Sequence, residues 1–60
     1  MKHYLFVCTL EDDECEGEQF LVGAFDEEEA TEIAEENFGQ VELLDTLTEE
    51  EAENSGLDEW

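Results

Sequence analysis

Basic residues are almost absent from this sequence. Among 60 residues there is no arginine and a single lysine, Lys2, against 21 aspartates and glutamates, so the formal net charge is -20. Nucleic acids and anionic membranes carry charge of the same sign and would repel this surface. The scarcity of bases argues against both as direct partners and favours a basic protein surface, which many proteins carry because they bind DNA or RNA.

The chain also lacks the residues and the size that catalysis requires. His3 is the only histidine, and it lies next to the amino terminus. Sixty residues form one small domain at most, with little room for a substrate pocket, which typically needs about 300 Å³ or more. We therefore expect a single domain over residues 1–60 that is not an enzyme and takes no cofactor, with its core in 2–47 and a short helix and tail in 48–60.

Metal-binding patterns are weak. His3, Cys8 and Cys15 lack the paired spacing of a zinc site. The acidic segment Asp12, Glu14, Glu16, Gly17 resembles the start of a calcium loop, but its twelfth position is Gly23 instead of the required glutamate. We expect no dedicated metal site.

Long hydrophobic runs are missing too. No segment approaches the length of a membrane span, and the short apolar run after Lys2 is broken by Glu11 before it could form a secretory signal. We therefore expect a cytoplasmic protein in which Cys8 and Cys15 are free thiols, although a disulfide between them across a hairpin is sterically possible.

The apolar residues that are present predict an α+β fold of order ββαβα. Strands are expected at 3–10, 18–25 and 40–47, and helices after the N-cap residues Asp26 and Thr48. Apolar residues on both faces of the first strand indicate a central position. The predicted sheet has the order 2-1-3, and its outer strands are parallel to each other.

The first helix has the clearest signals. Asp26 with Glu29 resembles a capping box, and Phe25 with Ala30 a hydrophobic staple. An apolar stripe continues at helical spacing to Phe38, and Gly39 ends the helix. This helix should cover one sheet face. The other face is left either to the short helix and Trp60 or to a partner.

The acids form separate clusters, on the first helix and in the hairpin loop. Carboxylates three or four positions apart on a helix lie about 5–6 Å apart, which is comparable with the phosphate spacing of nucleic acid. We therefore predict that these clusters bind the partner. The predicted partner-binding residues are Glu27, Glu28, Glu32, Glu35 and Glu36 on the helix and Glu11, Asp12, Asp13, Glu14 and Glu16 in the loop.

Two other readings of the charge stay open. The chain could be a structural or regulatory module that binds through an uncovered apolar sheet face, or a domain adapted to high salt. Against halophily, the acids are 16 glutamates and 5 aspartates, with the glutamates clustered on helices.

Phe20 and Trp60 are candidate apolar anchors for a partner, although both residue types more often belong to a core or a tail.

The ββαβ core resembles small T7-type phage inhibitors of bacterial RNA polymerase. The resemblance lies in element order, length and helix pattern, over the stretches 2–7, 25–35 and 41–44. It implies a non-catalytic, phage-encoded inhibitor that binds the polymerase near its DNA channel through an acidic strip, here Glu27, Glu28, Glu32 and Glu35. The basic side chains that the family carries around its third strand are missing from 40–47. Phage DNA mimics that block restriction or CRISPR enzymes resemble the chain in size and charge.

Overall fold

The fold has the predicted order ββαβα. The computed structural model describes residues 1–11 and 13–60. Its elements are β1 (Lys2–Cys8), β2 (Gln19–Ala24), α1 (Glu27–Phe38), β3 (Val41–Leu47) and α2 (Glu49–Ser55). The observed strand ends differ from the predicted ones by one residue or two, and α1 begins directly after Asp26 as expected.

Strand β1 lies in the middle of the sheet. The strand order is β2-β1-β3, and β1 pairs antiparallel with both neighbours. The two outer strands are therefore parallel to each other, as the sequence predicted. A strand that pairs on both sides and is covered on both faces needs apolar residues at consecutive positions, which is the pattern of β1.

The core lies between the sheet and α1. Tyr4 and Phe6 of β1 point to this face, and the Phe6 ring stacks with the Phe20 ring at a centroid distance of 5.8 Å. Ala30 and Ala34 of α1 are fully buried against them. The small alanines let the helix approach the sheet closely, and the core residues are Tyr4, Phe6, Phe20, Val22, Ala24, Ala30 and Ala34, with Ile33, Phe38, Val41 and Leu43 packed at its margin.

A β-bulge in β3 changes which residues share a face. Leu5 pairs with Asp45 but Phe6 pairs with Leu43, so Leu44 is an extra residue opposite β1. In a regular strand Leu47 would lie on the same side of the sheet as Leu43, and the extra residue reverses this. Leu47 pairs with His3 on the second face, where it contributes to a smaller apolar layer.

The ends of both helices are capped by their own side chains. The Asp26 carboxylate accepts a hydrogen bond of 2.8 Å from the Glu29 amide. Thr48 and Glu51 form a complete capping box at the start of α2. The predicted staple at α1 contributes little burial, because Phe25 is 71% exposed.

The second face of the sheet is partly covered by the chain itself, and Leu5, Val7 and Leu47 remain half-buried there. Helix α2 packs against β1 and β3, and a shallow depression between α2 and the sheet is lined by residues that include Leu21, Ala52 and Leu57. Leu21 is only 1% exposed as a result. The sequence left this face either to the short helix and Trp60 or to a partner. The short helix does pack on it, but Trp60 packs against Phe38 instead.

The C-terminal residues pair with the edge of the sheet, which the sequence did not predict. Glu59 forms a parallel bridge with Leu21 at the outer edge of β2. The Trp60 ring packs edge-on against Phe38, with centroids 5.2 Å apart. The tail is therefore paired and packed and is not a free extension.

Cys8 and Cys15 are joined in a disulfide, and the expectation of free thiols is wrong. The hairpin places their Cα atoms 5.8 Å apart, which lies within the range that a disulfide spans. The expectation rested on the rarity of disulfides in cytoplasmic proteins. The local geometry of the hairpin, however, determines whether the two thiols are close enough to pair.

Candidate partner-binding surface

The outer face of α1 is a stripe of carboxylates. Glu28, Glu32 and Glu36 follow at intervals of four residues, with Glu35 beside them, and all are exposed. Their spacing places them on one side of the helix, opposite the buried alanines. Glu27 is also exposed, but it lies three residues before Ala30 and thus on the sheet side of the first turn. It is the predicted residue that stands apart from the stripe.

The second predicted cluster lies in the loop between β1 and β2. Glu11, Asp13, Glu14 and Glu16 are exposed, and Asp12 lies outside the described residues. The Asp13 carboxylate accepts a hydrogen bond of 3.1 Å from the Cys15 amide, and the Asp13 carbonyl accepts one from Glu16. Together with the disulfide, these bonds give the acidic loop a defined shape.

The loop and the end of α1 are neighbours. The Thr9 amide, just after β1, donates to the Gln40 carbonyl, just after α1, at 2.9 Å. A depression of about 380 Å³ lies between the two segments, and it is lined by Asp13, Glu14, Cys15, Glu18, Asn37 and Phe38. The acidic loop therefore lies beside the last turn of α1, which carries Glu35 and Glu36 at the end of the stripe.

The backbone adds to the negative field at this place. The C-terminus of an α-helix carries about half a negative charge from its aligned peptide dipoles. The last turn of α1 has no basic residue to offset it. Lys2 lies at the opposite end of β1, about 20 Å away at about 3.3 Å per strand residue. We call the α1 stripe and the loop acids together the acidic surface, consisting of Glu28, Glu32, Glu35 and Glu36 with Glu11, Asp13, Glu14, Glu16 and Glu18.

Glu18 belongs to this surface but was missed by the sequence analysis. It precedes β2 and lines the depression beside Asp13 and Glu14. Glu18 falls within the predicted strand 18–25, whereas β2 begins at Gln19, so Glu18 is in the loop. The sequence feature that could have identified Glu18 is its position two residues after Glu16, at the end of the acidic run of the loop.

The acids of α2 lie on the other side of the molecule. Glu49, Glu50 and Glu53 are exposed, and Glu51 is held by the capping box. Because α2 covers the second face of the sheet, these acids point away from the α1 stripe. They provide a natural internal control for any test of the acidic surface.

The residues that could support chemistry are not brought together. His3 contacts the Glu59 carboxylate at the start of β1, and the two cysteines are paired at its far end. Within residues 1–11 and 13–60, no three His, Cys, Asp or Glu side chains form a group that could hold a metal ion. The calcium-loop pattern includes Asp12, which lies outside that range.

The two candidate anchors differ in exposure. Phe20 is 3% exposed and stacks on Phe38 at 3.9 Å, so it is a core residue. Trp60 is 52% exposed. The other large apolar residues with substantial exposure are Met1, Phe25 and Leu44.

Comparison with protein families, curated proteins and solved structures finds no match. In the described part of the chain, neither helix has the length and apolarity needed to cross a bilayer.

Proposed function

We propose that this chain is a non-catalytic binding protein that inhibits a host nucleic-acid enzyme by occupying its basic channel. The position of the acidic loop beside the last turn of α1, where the stripe ends, carries the proposal. The resemblance of the ββαβ core to small T7-type phage inhibitors makes bacterial RNA polymerase the preferred target and a phage the expected source. The basic partner surface is supplied by the enzyme, and the chain itself binds no nucleic acid.

The charge density of α1 suits a site built for a phosphate backbone. Four carboxylates from Glu28 to Glu36 occupy a rise of about 12 Å, or one charge per about 4 Å. One strand of duplex DNA carries a charge per about 3.4 Å of rise. A channel lined with Lys and Arg would thus meet a similar linear density of charge and release its own counterions on binding.

The acidic surface is also held in place before binding. Helix α1 is anchored by two fully buried alanines, and the loop by a disulfide and backbone hydrogen bonds. A surface that is ordered in the free protein loses less conformational entropy when it binds. This supports a charged binding surface over a merely solubilising coat, which needs no fixed arrangement.

The alternatives differ in the support they receive. An anti-restriction or anti-CRISPR DNA mimic would use the same surface, and only the target would change. A structural or regulatory module that binds through an apolar sheet face receives less support, because α1 covers one face and α2 covers part of the other. Adaptation to high salt is a separate explanation of the same negative charge. It predicts that the chain folds only in molar salt, whereas the proposal predicts that added salt weakens binding.

Binding to purified enzymes tests the proposal. Affinities are measured for bacterial RNA polymerase and for restriction and CRISPR nucleases, each with and without duplex DNA. We expect at least one enzyme to bind, duplex DNA to compete, and the dissociation constant to rise by about tenfold or more between 0.05 and 0.2 M salt. Absence of binding to every one of these enzymes would overturn the proposal.

A matched pair of variants locates the contact. One variant replaces Glu28, Glu32, Glu35 and Glu36 by glutamine, and the control replaces Glu42, Glu49, Glu50 and Glu53. Both remove four negative charges, so they alter long-range attraction equally. We expect the first variant to bind at least about tenfold more weakly than the control. Equal loss in both would mean that total charge, and not the acidic surface, governs binding.

A further inference from the structure

The two edges of the sheet are built differently. The β3 edge carries Glu42 and Asp45 and is distorted by the bulge at Leu44. Charges and bulges on an edge strand oppose pairing with another chain. Strand β2 (Gln19–Ala24) contains no charged residue and pairs with β1 without a shift in register. Although the chain has 21 acids, none lies on β2, so this edge needs another form of protection against pairing with other chains.

The C-terminal tail supplies that protection. The Leu21 amide donates to the Asp58 carbonyl at 2.9 Å, and the Gly23 amide donates to the Trp60 carbonyl at 3.1 Å. The Trp60 amide in turn donates to the Leu21 carbonyl at 2.7 Å. Three outward hydrogen-bonding groups of β2, two on Leu21 and one on Gly23, are therefore satisfied by Asp58 and Trp60 of the same chain.

The attachment of the tail is small. It consists of these three backbone bonds, the half-buried side chain of Leu57 in the depression beside Leu21 and Ala52, the edge-on contact of Trp60 with Phe38, and the contact of Glu59 with His3. The tail follows Gly56, which has a left-handed φ of 74° and ends α2. Rotation at this glycine can release the tail without unwinding α2, because a glycine has access to many backbone conformations.

We propose that residues 57–60 are a displaceable fourth strand, and that the β2 edge beneath them pairs with the β2 edge of a second copy of this chain once the tail is released. Antiparallel pairing of two β2 strands has two-fold symmetry and places two uncharged segments against each other. It reuses the Leu21 and Gly23 amides that the tail now occupies. Of the three strands, β2 is the one without a charged residue, so it is where two chains of charge -20 meet with least repulsion.

The state of the edge then depends on salt. At low ionic strength, repulsion between copies keeps the chain monomeric even while the tail opens transiently. At about 1 M salt the Debye length falls to about 3 Å, and the repulsion between copies is largely screened. Release of the tail and screening of charge together are required for self-pairing.

The test uses the full chain with Trp60→Pro. Proline has no amide hydrogen, so the variant loses the bond to the Leu21 carbonyl, and it also loses the aromatic contact with Phe38. Trp60→Phe is the control, since it keeps the amide and a ring. Hydrogen exchange of single amides is measured by NMR, and the molecular mass by sedimentation equilibrium in about 0.1 M and about 1 M salt.

In dilute Trp60→Pro at low salt, we expect the Leu21 and Gly23 amides to exchange about tenfold faster, while the inward-facing Val22 amide keeps its protection. In 1 M salt the mass should rise from 6.9 kDa to twice that value as concentration increases, and protection of Leu21 and Gly23 should return. Trp60→Phe should stay monomeric.

Three results would each overturn the proposal. Unchanged exchange at Leu21 and Gly23 would mean that the tail does not cover the edge. Loss of protection at Val22 as well would mean that the tail holds the fold together and does not merely guard an edge. An open edge with a mass of 6.9 kDa at every concentration and salt would mean that β2 does not pair with itself, whatever other strand it accepts.

Discussion

The two faces of the sheet differ in how much apolar volume they bury. On the α1 face, aromatic rings from β1 and β2 pack against fully buried alanines. On the other face, α2 contributes no buried residue, and Ala52 and Leu57 are only half-buried. Most of the hydrophobic stabilisation therefore comes from one side, and α2 with the tail should open locally at lower cost than the core.

This asymmetry bears on the function. The acidic stripe lies on the outer face of α1, the helix with the firmest packing, and the loop acids lie in the segment held by the disulfide. The acids of α2 lie on the less firmly packed layer. A rigid array of charges keeps its spacing, which a site that imitates a phosphate backbone requires.

The largest contrast is expected between Phe6→Ala and Leu57→Ala. Phe6 is 1% exposed at the centre of the α1 face, and its truncation should cost about 3–5 kcal/mol, which exceeds or approaches the whole stability of a domain this small. Leu57→Ala should cost about 1 kcal/mol, because the side chain is only half-buried. Urea unfolding followed by circular dichroism checks both. Equal costs would contradict the asymmetry.

The disulfide should give the next largest effect. Cys15→Ser opens a loop whose ends are seven residues apart, and the chain-entropy relation gives a loss of about 2–3 kcal/mol. The wild-type chain under reducing conditions should lose a similar amount. Urea midpoints with and without reductant provide the measurement. A wild-type midpoint that reductant leaves unchanged would show that the thiols are unpaired in solution.

A smaller effect is expected at the start of α2. Thr48→Ala removes the side-chain acceptor of the Glu51 amide and should cost about 1 kcal/mol. Because α2 lies on the weaker face, we expect faster amide exchange within α2 and little change in the core. Faster exchange spread evenly over β1 and α1 would show instead that both faces unfold as one unit.

The smallest expected change is a gain in stability. Glutamine at positions 28, 32, 35 and 36 relieves three like-charge pairs within the stripe and one with Glu29, and should add up to about 1 kcal/mol at low salt. Glutamine at 42, 49, 50 and 53 should add less, since acids in the first turn of a helix favour its N-terminal dipole. Thermal unfolding at about 0.02 M and about 0.5 M salt measures the difference, which screening should reduce.

Salt also separates the proposal from adaptation to high salt. We expect the wild-type chain to remain folded at 0.1 M salt, as monitored by circular dichroism. A chain that folds only in molar salt would favour the halophilic reading.

Local signals determined which parts of the fold were predictable. The alternation in β1, the Asp26 cap and Gly39 at φ 85° each depend on neighbouring residues, so they can be read from the sequence. The bulge at Leu44 cannot, because it depends on the register with β1. The pairing of the tail with β2 was missed because so short a segment shows no periodicity. Its partner, Leu21, also lies some forty positions earlier in the sequence.

Most members of the acidic surface were predictable, but Glu18 and the approach of the loop to α1 were not. Exposure of the helix glutamates follows from the spacing of the alanines. The approach of the loop to the end of α1 depends on the crossover from β2 through α1 to β3, and no motif encodes it. The free-thiol expectation failed because it gave more weight to a reducing compartment than to the hairpin, which brings Cys8 and Cys15 together.

An order-of-addition experiment tests the central claim most directly, using the enzyme that binds the chain. If the acidic surface occupies the nucleic-acid channel, adding the chain before DNA should inhibit the enzyme, and adding it after the DNA complex has formed should inhibit about tenfold less. Inhibition of equal strength in both orders would place the chain outside the channel and contradict the account.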